Sequence, residues 1–365
     1  MEKITALPDL VIGDIHINPP IIQGGMGVLV SGPNLASAVS REGALGVLAA
    51  VGAGEDGPDR NMRYADRSAA GLREMIRHTR TMTTNPIAVN IMCALSNYDE
   101  LVQAADAEGI SVIISGAGLP LRLPALVKNP VVKLVPVVSS GRAADIICRT
   151  WKRKHNRLPD AVIVEGTAAG GHLGFDLESI KTSPPSLKSL VQEVLQAVHE
   201  YREEDGRAIP VIAAGGVFSG TDIAEFLSMG ASGVQMGTRF VCTDECDASL
   251  EYKNSYINCT EDDIIIIKSP VQLPLRVIRN PFVDKIINGG KSEFRCQYHC
   301  LSTCEPEKSS YCIANALKNA SLGHMDEGFT TCGANAHRID RIVPVRELLN
   351  ELVNECLESL NRTAR

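Results

Sequence analysis

The sequence lacks an excess of positive charge. The chain of 365 residues has 36 Lys and Arg against 43 Asp and Glu, which gives a formal net charge of -7 at pH 7. This balance provides neither a basic face for nucleic acid nor a polybasic run for anionic lipid. We therefore expect small-molecule partners, with no binding to nucleic acid or membrane.

Segments that send a chain into or across a membrane are also missing. Glu2, Asp9 and Asp14 interrupt the beginning of the chain, so it lacks the apolar region of a signal peptide. No later stretch has enough consecutive apolar residues to cross a bilayer. We expect a cytoplasmic protein whose 11 cysteines are reduced thiols or metal ligands, because they are too sparse for a disulfide scaffold.

Two nucleotide-binding motifs are absent as well. There is no Gly-x-x-x-x-Gly-Lys-Ser/Thr loop, which disfavours a nucleoside triphosphatase. The glycines of Gly24–Gly27 do not have the Gly-x-Gly-x-x-Gly spacing that opens a dinucleotide-binding fold. The sequence therefore disfavours a doubly wound open sheet, which we keep as the alternative to the fold predicted below.

The chain does contain an alternation of short β-branched runs and longer amphipathic stretches. Nearly apolar strands are typical of a parallel sheet that is covered by helices on both faces. We predict eight: Pro20–Gln23, Gly46–Ala50, Ile87–Ile91, Ser111–Ile114, Val132–Val138, Ala161–Val164, Pro210–Ala213 and Gly233–Met236. Such β/α units predict an α/β fold, a TIM-type (β/α)8 barrel with its active site at the carboxyl ends of the strands.

Candidate ligand-binding residues lie along the predicted strands and just after them. Gly24, Gly25 and Met26 follow the first strand, where glycine permits close backbone approach and methionine offers a soft surface to a ring. The buried amide of Asn90 needs a partner, either a loop backbone or a heteroaromatic ligand. Lys133, in the fifth strand, faces an anion or an electron-rich ring, or extends to the rim of the barrel.

The sixth strand runs into a loop of small residues that ends on a histidine. Gly170 and Gly171 carry no Cβ, so the main chain can lie against a flat or anionic ligand. His172 follows at the mouth, and its imidazole can exchange a proton near neutral pH. This pattern favours a general base or acid over a histidine that only fixes a loop.

The last two strands end in the manner of a phosphate site. Gly215 and Gly216 follow the seventh strand, and Gly237 and Thr238 follow the eighth. In barrels of this kind the loops at these two positions commonly hold a phosphate group with backbone N–H groups. The pattern favours a cofactor that carries one phosphate.

Four segments in this order resemble the nitronate monooxygenase family, formerly called 2-nitropropane dioxygenases, which also includes FMN-dependent enoyl-acyl-carrier-protein reductases. They are Pro20–Gly27, Gly166–His172, Pro210–Gly216 and Gly233–Phe240. The resemblance implies a TIM-type barrel with noncovalent FMN and with His172 as the catalytic histidine. Together with the residue patterns it gives the expected cofactor contacts: Gly24, Gly25, Met26, Asn90, Glu165, Gly170, Gly171, Gly215, Gly216, Gln235, Met236, Gly237 and Thr238.

Two residues depart from the family's pattern. Glu165 stands where many nitronate monooxygenases have a glutamine, and an ionised carboxylate can only accept hydrogen bonds from the flavin. Ala168 stands where the family often has a glutamate. Either change can alter the substrate or the redox partner.

The resemblance implies an FMN-dependent oxidoreductase that oxidises alkyl nitronates or nitroalkanes with dioxygen. One alternative is an NAD(P)H-dependent FMN reductase of enoyl thioesters or quinones. The other is a non-catalytic flavin-binding subunit that relays electrons.

A cysteine cluster lies in the last third of the chain. Cys296, Cys300, Cys304 and Cys312 are close together in sequence, with His299 among them. Four cysteine ligands would suit an iron–sulfur cluster or a structural zinc. The alternative is four free thiols that pack a small subdomain.

We expect three parts in the chain. Residues 1–250 form the FMN-binding barrel, and residues 251–335 form an inserted cysteine-rich subdomain. Residues 336–365 form a C-terminal helix that packs back on the barrel. Prolines in Ser269–Pro281 indicate a loop, and Cys332–Asn335 is a candidate to face the flavin from the subdomain.

Overall fold

The computed structural model describes residues 3–55, 62–202, 206–296 and 299–363. The strands are β1 Leu10–Ile12, β2 Ile15–Ile17, β3 Ile21–Gln23, β4 Gly46–Ala49, β5 Ile87–Met92, β6 Val112–Gly116, β7 Lys133–Val138, β8 Val162–Glu165, β9 Gly171–His172, β10 Val211–Ala214, β11 Gly233–Met236, β12 Ile264–Lys268 and β13 Pro274–Ile278.

The α-helices are α1 Pro33–Arg41, α2 Tyr64–Met82, α3 Tyr98–Ala107, α4 Leu123–Leu126, α5 Gly141–His155, α6 Leu177–Thr182, α7 Leu187–Val198, α8 Gly220–Ser228, α9 Thr238–Val241, α10 Leu250–Asn258, α11 Pro281–Ile287, α12 Ile313–Ser321 and α13 Val345–Thr363. Short 3-10 helices span Glu261–Asp263, Pro306–Lys308, Met325–Glu327 and Ala336–Arg338.

Eight parallel strands form the barrel, in the order β3-β11-β10-β8-β7-β6-β5-β4. A parallel bridge between Ile22 and Leu45 joins β3 to the chain just before β4, which brings the two ends of the sheet together. Each of the eight predicted strands is present, with its ends shifted by no more than a residue or two. The predicted (β/α)8 barrel is confirmed, and the open sheet is not observed.

Apolar residues fill both sides of the barrel wall. Inside it, fully buried side chains such as Val112, Ile163 and Ile212 form one core cluster. Alternate residues such as Val164 and Val211 face outward and pack under the helices in a second cluster. This arrangement explains why the strands are nearly continuous apolar runs in the sequence.

A hairpin closes the amino-terminal end of the barrel. Strands β1 and β2 pair antiparallel, and Leu10 and Ile17 join the inner core cluster. Lys133 begins β7 at this end, and its Nζ lies 2.6 Å from Oδ1 of Asp14 in the hairpin turn. The lysine therefore pairs with an anion of the protein, at the end of the barrel opposite the predicted active site.

Helix α5 illustrates how the outer layer forms. The Ser140 side chain accepts a hydrogen bond from the Ala143 N–H at the start, and Asn156 ends the helix with a φ of 48°. Ile147 and Trp151 lie on its buried face, and the Trp151 indole N–H donates to the Pro120 carbonyl at 3.1 Å. The amphipathic pattern thus fixes which face of the helix covers the sheet.

A second sheet covers part of the carboxyl end of the barrel. Its order is β12-β13-β9, and all of its pairs are antiparallel. The prediction of a loop over Ser269–Pro281 is wrong for Pro274–Ile278, which forms the middle strand. Because β9 lies in the loop after β8, this sheet ties His172 to Leu275 on β13.

The last third of the chain packs on the barrel in two places. The cysteine-rich segment lies along the loop after β5, where Ser96 N–H donates to the Cys300 carbonyl at 3.1 Å. Helix α13 packs against α8, and the Glu355 carboxylate accepts from the Gly220 N–H at 2.9 Å. None of the described helices is both long and apolar enough to cross a membrane. The predicted boundaries at residues 250 and 335 stay a prediction.

Candidate active site

The predicted cofactor residues of the first, third and eighth barrel strands meet at the carboxyl end of the barrel. Gly24 N–H donates to the Met236 carbonyl at 2.8 Å, which joins the loop after β3 to the end of β11. A Cβ on Gly25 would lie 2.4 Å from the Asn90 Cβ, so only glycine allows the loop after β3 to approach β5 so closely. The Met236 side chain is buried in the outer core, which leaves only its backbone for a ligand.

The loops after β8 and β10 are also in contact. Gly215 and Gly216 have φ values of 81° and 125°, in the region that favours glycine. A Cβ on Gly216 would lie 3.2 Å from the Ala168 Cβ. Since β10 pairs with both β8 and β11, the loops that hold these glycines and Thr238 are neighbours.

Polar groups without protein partners gather at this end of the barrel. His172 Nε2 and Gln235 Oε1 are buried and make no hydrogen bond within the part of the chain that the structure describes. Nor, among those residues, do the half-buried side chains of Asn90 and Glu165 make one. Buried polar groups are nearly always paired in native proteins, so His172 and Gln235 are candidates to contact a ligand at this end of the barrel.

Burial acts on the two titratable members of this set in opposite directions. It raises the pKa of Glu165 from 4.5 to about 7. It lowers the pKa of His172 from 6.5 to about 4. At pH 7 the imidazole is neutral and can accept a proton. The Glu165 carboxyl is partly protonated at that pH, so it can also donate a hydrogen bond, which an ionised carboxylate cannot.

The Cys332–Asn335 stretch contacts the loops after β10 and β11. Gly333 N–H donates to Thr238 Oγ1 at 3.1 Å, and Asn335 Nδ2 donates to the Gly216 carbonyl at 2.9 Å. A Cβ on Gly170 would lie 2.7 Å from the Cys332 carbonyl carbon. The subdomain therefore supplies one wall of the candidate site, and whether it faces a flavin stays a prediction.

Sequence reasoning missed Arg276 on β13. Its side chain is 7% exposed, and Nη1 donates to the Thr167 carbonyl at 2.9 Å and to the Ala169 carbonyl. Both acceptors lie in the loop between Glu165 and His172. The signal in the sequence was a charged residue within the apolar run Pro274–Ile278.

The cysteine cluster gives no support to a metal site. Within the described ranges, no group of three or more His, Cys, Asp and Glu side chains is placed to hold a metal ion. Burial raises the pKa of Cys300 to about 12, with a smaller effect of the neighbouring thiols, and burial also raises the pKa of Cys312. Metal ligands must be thiolates, so this environment favours protonated thiols.

Comparison with known proteins identifies the family. The family model described as nitronate monooxygenase matches residues 9–355. A relative from Mycobacterium tuberculosis, "(3aS,4S,5R,7aS)-5-hydroxy-7a-methyl-1-oxo-octahydro-1H-indene-4-carboxyl-CoA dehydrogenase", is 30% identical over 278 residues, which cover 76% of this chain and 68% of the relative. A "Probable nitronate monooxygenase" from Staphylococcus saprophyticus is 27% identical over 348 residues, which cover 85% of each chain.

A solved structure has the same architecture. The structure of FabK from Thermotoga maritima superimposes with a TM-score of 0.73 and 30% identity, and the match covers 95% of this chain and 96% of that chain. The TIM-type barrel, the order of the site loops and the family match agree with one another. The chain belongs to the nitronate monooxygenase family of oxidoreductases.

Proposed function

We propose that the protein is an FMN-dependent oxidoreductase that oxidises alkyl nitronates or nitroalkanes with dioxygen. The observation that carries the proposal is the neutral imidazole of His172, which has no hydrogen-bond partner within the described ranges of the chain and lies at the same end of the barrel as Gln235, which has none there either. A site with several unpaired polar groups suits a ligand that has many hydrogen-bond acceptors and donors. The heteroaromatic ring of a flavin is such a ligand.

The residues at the site fit FMN. The adjoining glycine-rich loops after β10 and β11 would take the phosphate with backbone N–H groups. Asn90, Glu165 and Gln235 would take the polar edge of the ring, because their amide and carboxyl groups offer both donors and acceptors. When bound, FMN supplies the redox chemistry by accepting electrons from the substrate and passing them to dioxygen.

His172 has a defined task when the substrate is a neutral nitroalkane. Its neutral imidazole would accept the proton from the carbon next to the nitro group, as a general base. The neutral imidazole that this step requires is the form that burial favours. A preformed nitronate has already lost this proton, so it needs orientation but no base.

The pair of substrates provides the test. We expect His172→Asn to slow turnover of a neutral nitroalkane by about a hundredfold or more, the usual contribution of a positioned base. The same variant should lose less activity with the preformed nitronate, and its flavin content should hardly change. His199→Asn is the matched control, because His199 is exposed and its Nδ1 lies 3.7 Å from Glu200 Oε1, away from the candidate site. Equal losses on both substrates would remove the role as a base.

A second candidate function is the oxidation or reduction of a thioester. It is favoured by the relative named as a CoA dehydrogenase, which is 30% identical to this chain. In this case NAD(P)H would reduce the flavin, and the flavin would reduce an enoyl thioester or a quinone. In the opposite direction, a thioester substrate would reduce the flavin. The non-catalytic electron-relay alternative is disfavoured, since it leaves the environment of His172 without a purpose.

A further inference from the structure

Arg276 is a buried cation without an acidic partner among the residues that the structure describes. It lies on β13, where its pairing partner is Gly171 of β9. Burial lowers its pKa. Burying a guanidinium without a carboxylate is unfavourable. Its hydrogen bonds must therefore have a structural effect that an apolar side chain at this position could not provide.

Those hydrogen bonds control the loop between Glu165 and His172. Arg276 Nη1 donates to the carbonyls of Thr167 and Ala169, and the Ala334 N–H donates to the carbonyl of Ala168 between them at 3.0 Å. Three successive carbonyls are thus held by donors from the subdomain. Nη1 of Arg276 carries two N–H bonds that are fixed in the plane of the guanidinium fork, so this one nitrogen reaches both the Thr167 and the Ala169 carbonyl.

Holding the carbonyls also fixes the amide groups of the same peptide planes. In a trans peptide the N–H points away from the C=O of the preceding residue. The N–H groups of Ala168 and Gly170 follow the two carbonyls that Arg276 binds. Within the described residues neither N–H has a hydrogen-bond partner, whereas the Ala169 N–H donates to the Gly166 carbonyl at 3.2 Å.

We propose that Arg276 is a positioning residue, which turns the Thr167 and Ala169 carbonyls away so that the Ala168 and Gly170 N–H groups remain available to acceptor atoms of the bound ligand. This inference rests on the proposed function, in which that ligand is FMN. The subdomain then contributes to the barrel site, because Arg276 on β13 holds the loop that carries His172. Without the guanidinium, the two carbonyls lose their donors, and their peptide planes are free to rotate.

The test is the affinity of the flavin-free protein for FMN, measured by the change in flavin fluorescence. We expect Arg276→Ala to raise the Kd at least tenfold, and millimolar guanidinium ion to recover most of the loss by binding in the space left by the side chain. Arg279→Ala is the matched control. It removes a half-exposed arginine nearby on the chain, whose Nε lies 2.7 Å from Asp284 Oδ1. Its Kd should be unchanged with or without guanidinium.

Arg276→Lys serves as a second variant, because it keeps the charge but replaces the fork by a single ammonium. We expect it to fold and to bind FMN several-fold more weakly than the wild type, with a shifted visible spectrum of the bound flavin. Wild-type affinity in both variants, or a loss in folded Arg276→Ala that guanidinium does not recover, would overturn the inference. Failure of the wild-type protein to bind FMN would instead overturn the proposed function.

Discussion

Glu165 and His172 lie at the two ends of one loop, and burial shifts their pKa values in opposite directions. The raised pKa of Glu165 means that the folded protein binds this proton more tightly than the unfolded chain does. The lowered pKa of His172 means that the folded protein binds that proton more weakly. The two residues therefore give the flavin-free protein opposing dependences of stability on pH.

We predict how these dependences separate in single variants. The Glu165 contribution is complete below pH 4.5 and is lost as the pH rises through about 7, by roughly 3 kcal/mol. The His172 contribution is complete above pH 6.5 and is lost as the pH falls through about 4, by a similar amount. In the wild type the two slopes largely cancel between pH 4.5 and 6.5.

Denaturant unfolding of the flavin-free protein at a series of pH values checks this prediction. In Glu165→Gln only the histidine term remains, so the free energy of unfolding relative to the wild type should rise with pH. In His172→Asn only the carboxyl term remains, and the relative free energy should fall with pH. Parallel profiles for the wild type and both variants would show that neither group titrates as its burial implies.

Among single residues, the sequence identified those whose chemistry is unusual for their position. His172 after paired glycines and Asn90 in an apolar strand stood out, and both lie at the carboxyl end of the barrel. Arg276 could not be assigned, because its partners at Thr167 and Ala169 lie far away along the chain. A charged residue in a strand signals a partner but does not say which one.

At the scale of elements, the loops after β10 and β11 form a continuous surface of small residues. Gly216 has a positive φ, and the Asn335 side chain donates to its carbonyl. We predict that Gly216→Asp loses FMN, because the added carboxylate would repel a phosphate at this point and would crowd Ala168. The FMN content of the purified variant, measured by absorbance after denaturation, checks the prediction.

Gly289→Asp is the control for backbone strain. Gly289 has a φ of 82°, and a Cβ there would meet no atom within 4 Å. The substitution also places an aspartate at a positive φ, but away from the candidate site, and it should leave the FMN content unchanged. Full FMN content in Gly216→Asp would remove the loop after β10 from the cofactor site.

The β12-β13 hairpin shows why a local signal failed. Pro274 in the sequence indicates a loop, but it is the first residue of β13, where a missing N–H is tolerated. The strand forms because β12 pairs with it on one side and β9 on the other. Strand β9 has only two residues and lies in the loop after β8, so it shows no strand-like hydrophobic pattern in the sequence.

At the scale of the whole molecule, the barrel could be predicted and the covering of its mouth could not. The barrel strands are apolar on both faces, so each one is visible in the sequence without knowledge of its neighbours. The mouth depends on contacts between distant segments, such as Gly333 with Thr238 and Arg276 with Thr167. The cysteine cluster was predicted from spacing, which carries no information about where the thiols point.

In the proposed function, a flavin bound in this site takes electrons from a nitronate. The most direct measurement is the visible spectrum of the purified protein under anaerobic conditions, recorded before and after addition of an alkyl nitronate without any nicotinamide. We predict oxidised FMN bands at the start and their bleaching by the nitronate alone. An oxidised spectrum that persists with nitronate and bleaches only with NADH, or a protein that binds no FMN, would contradict the account.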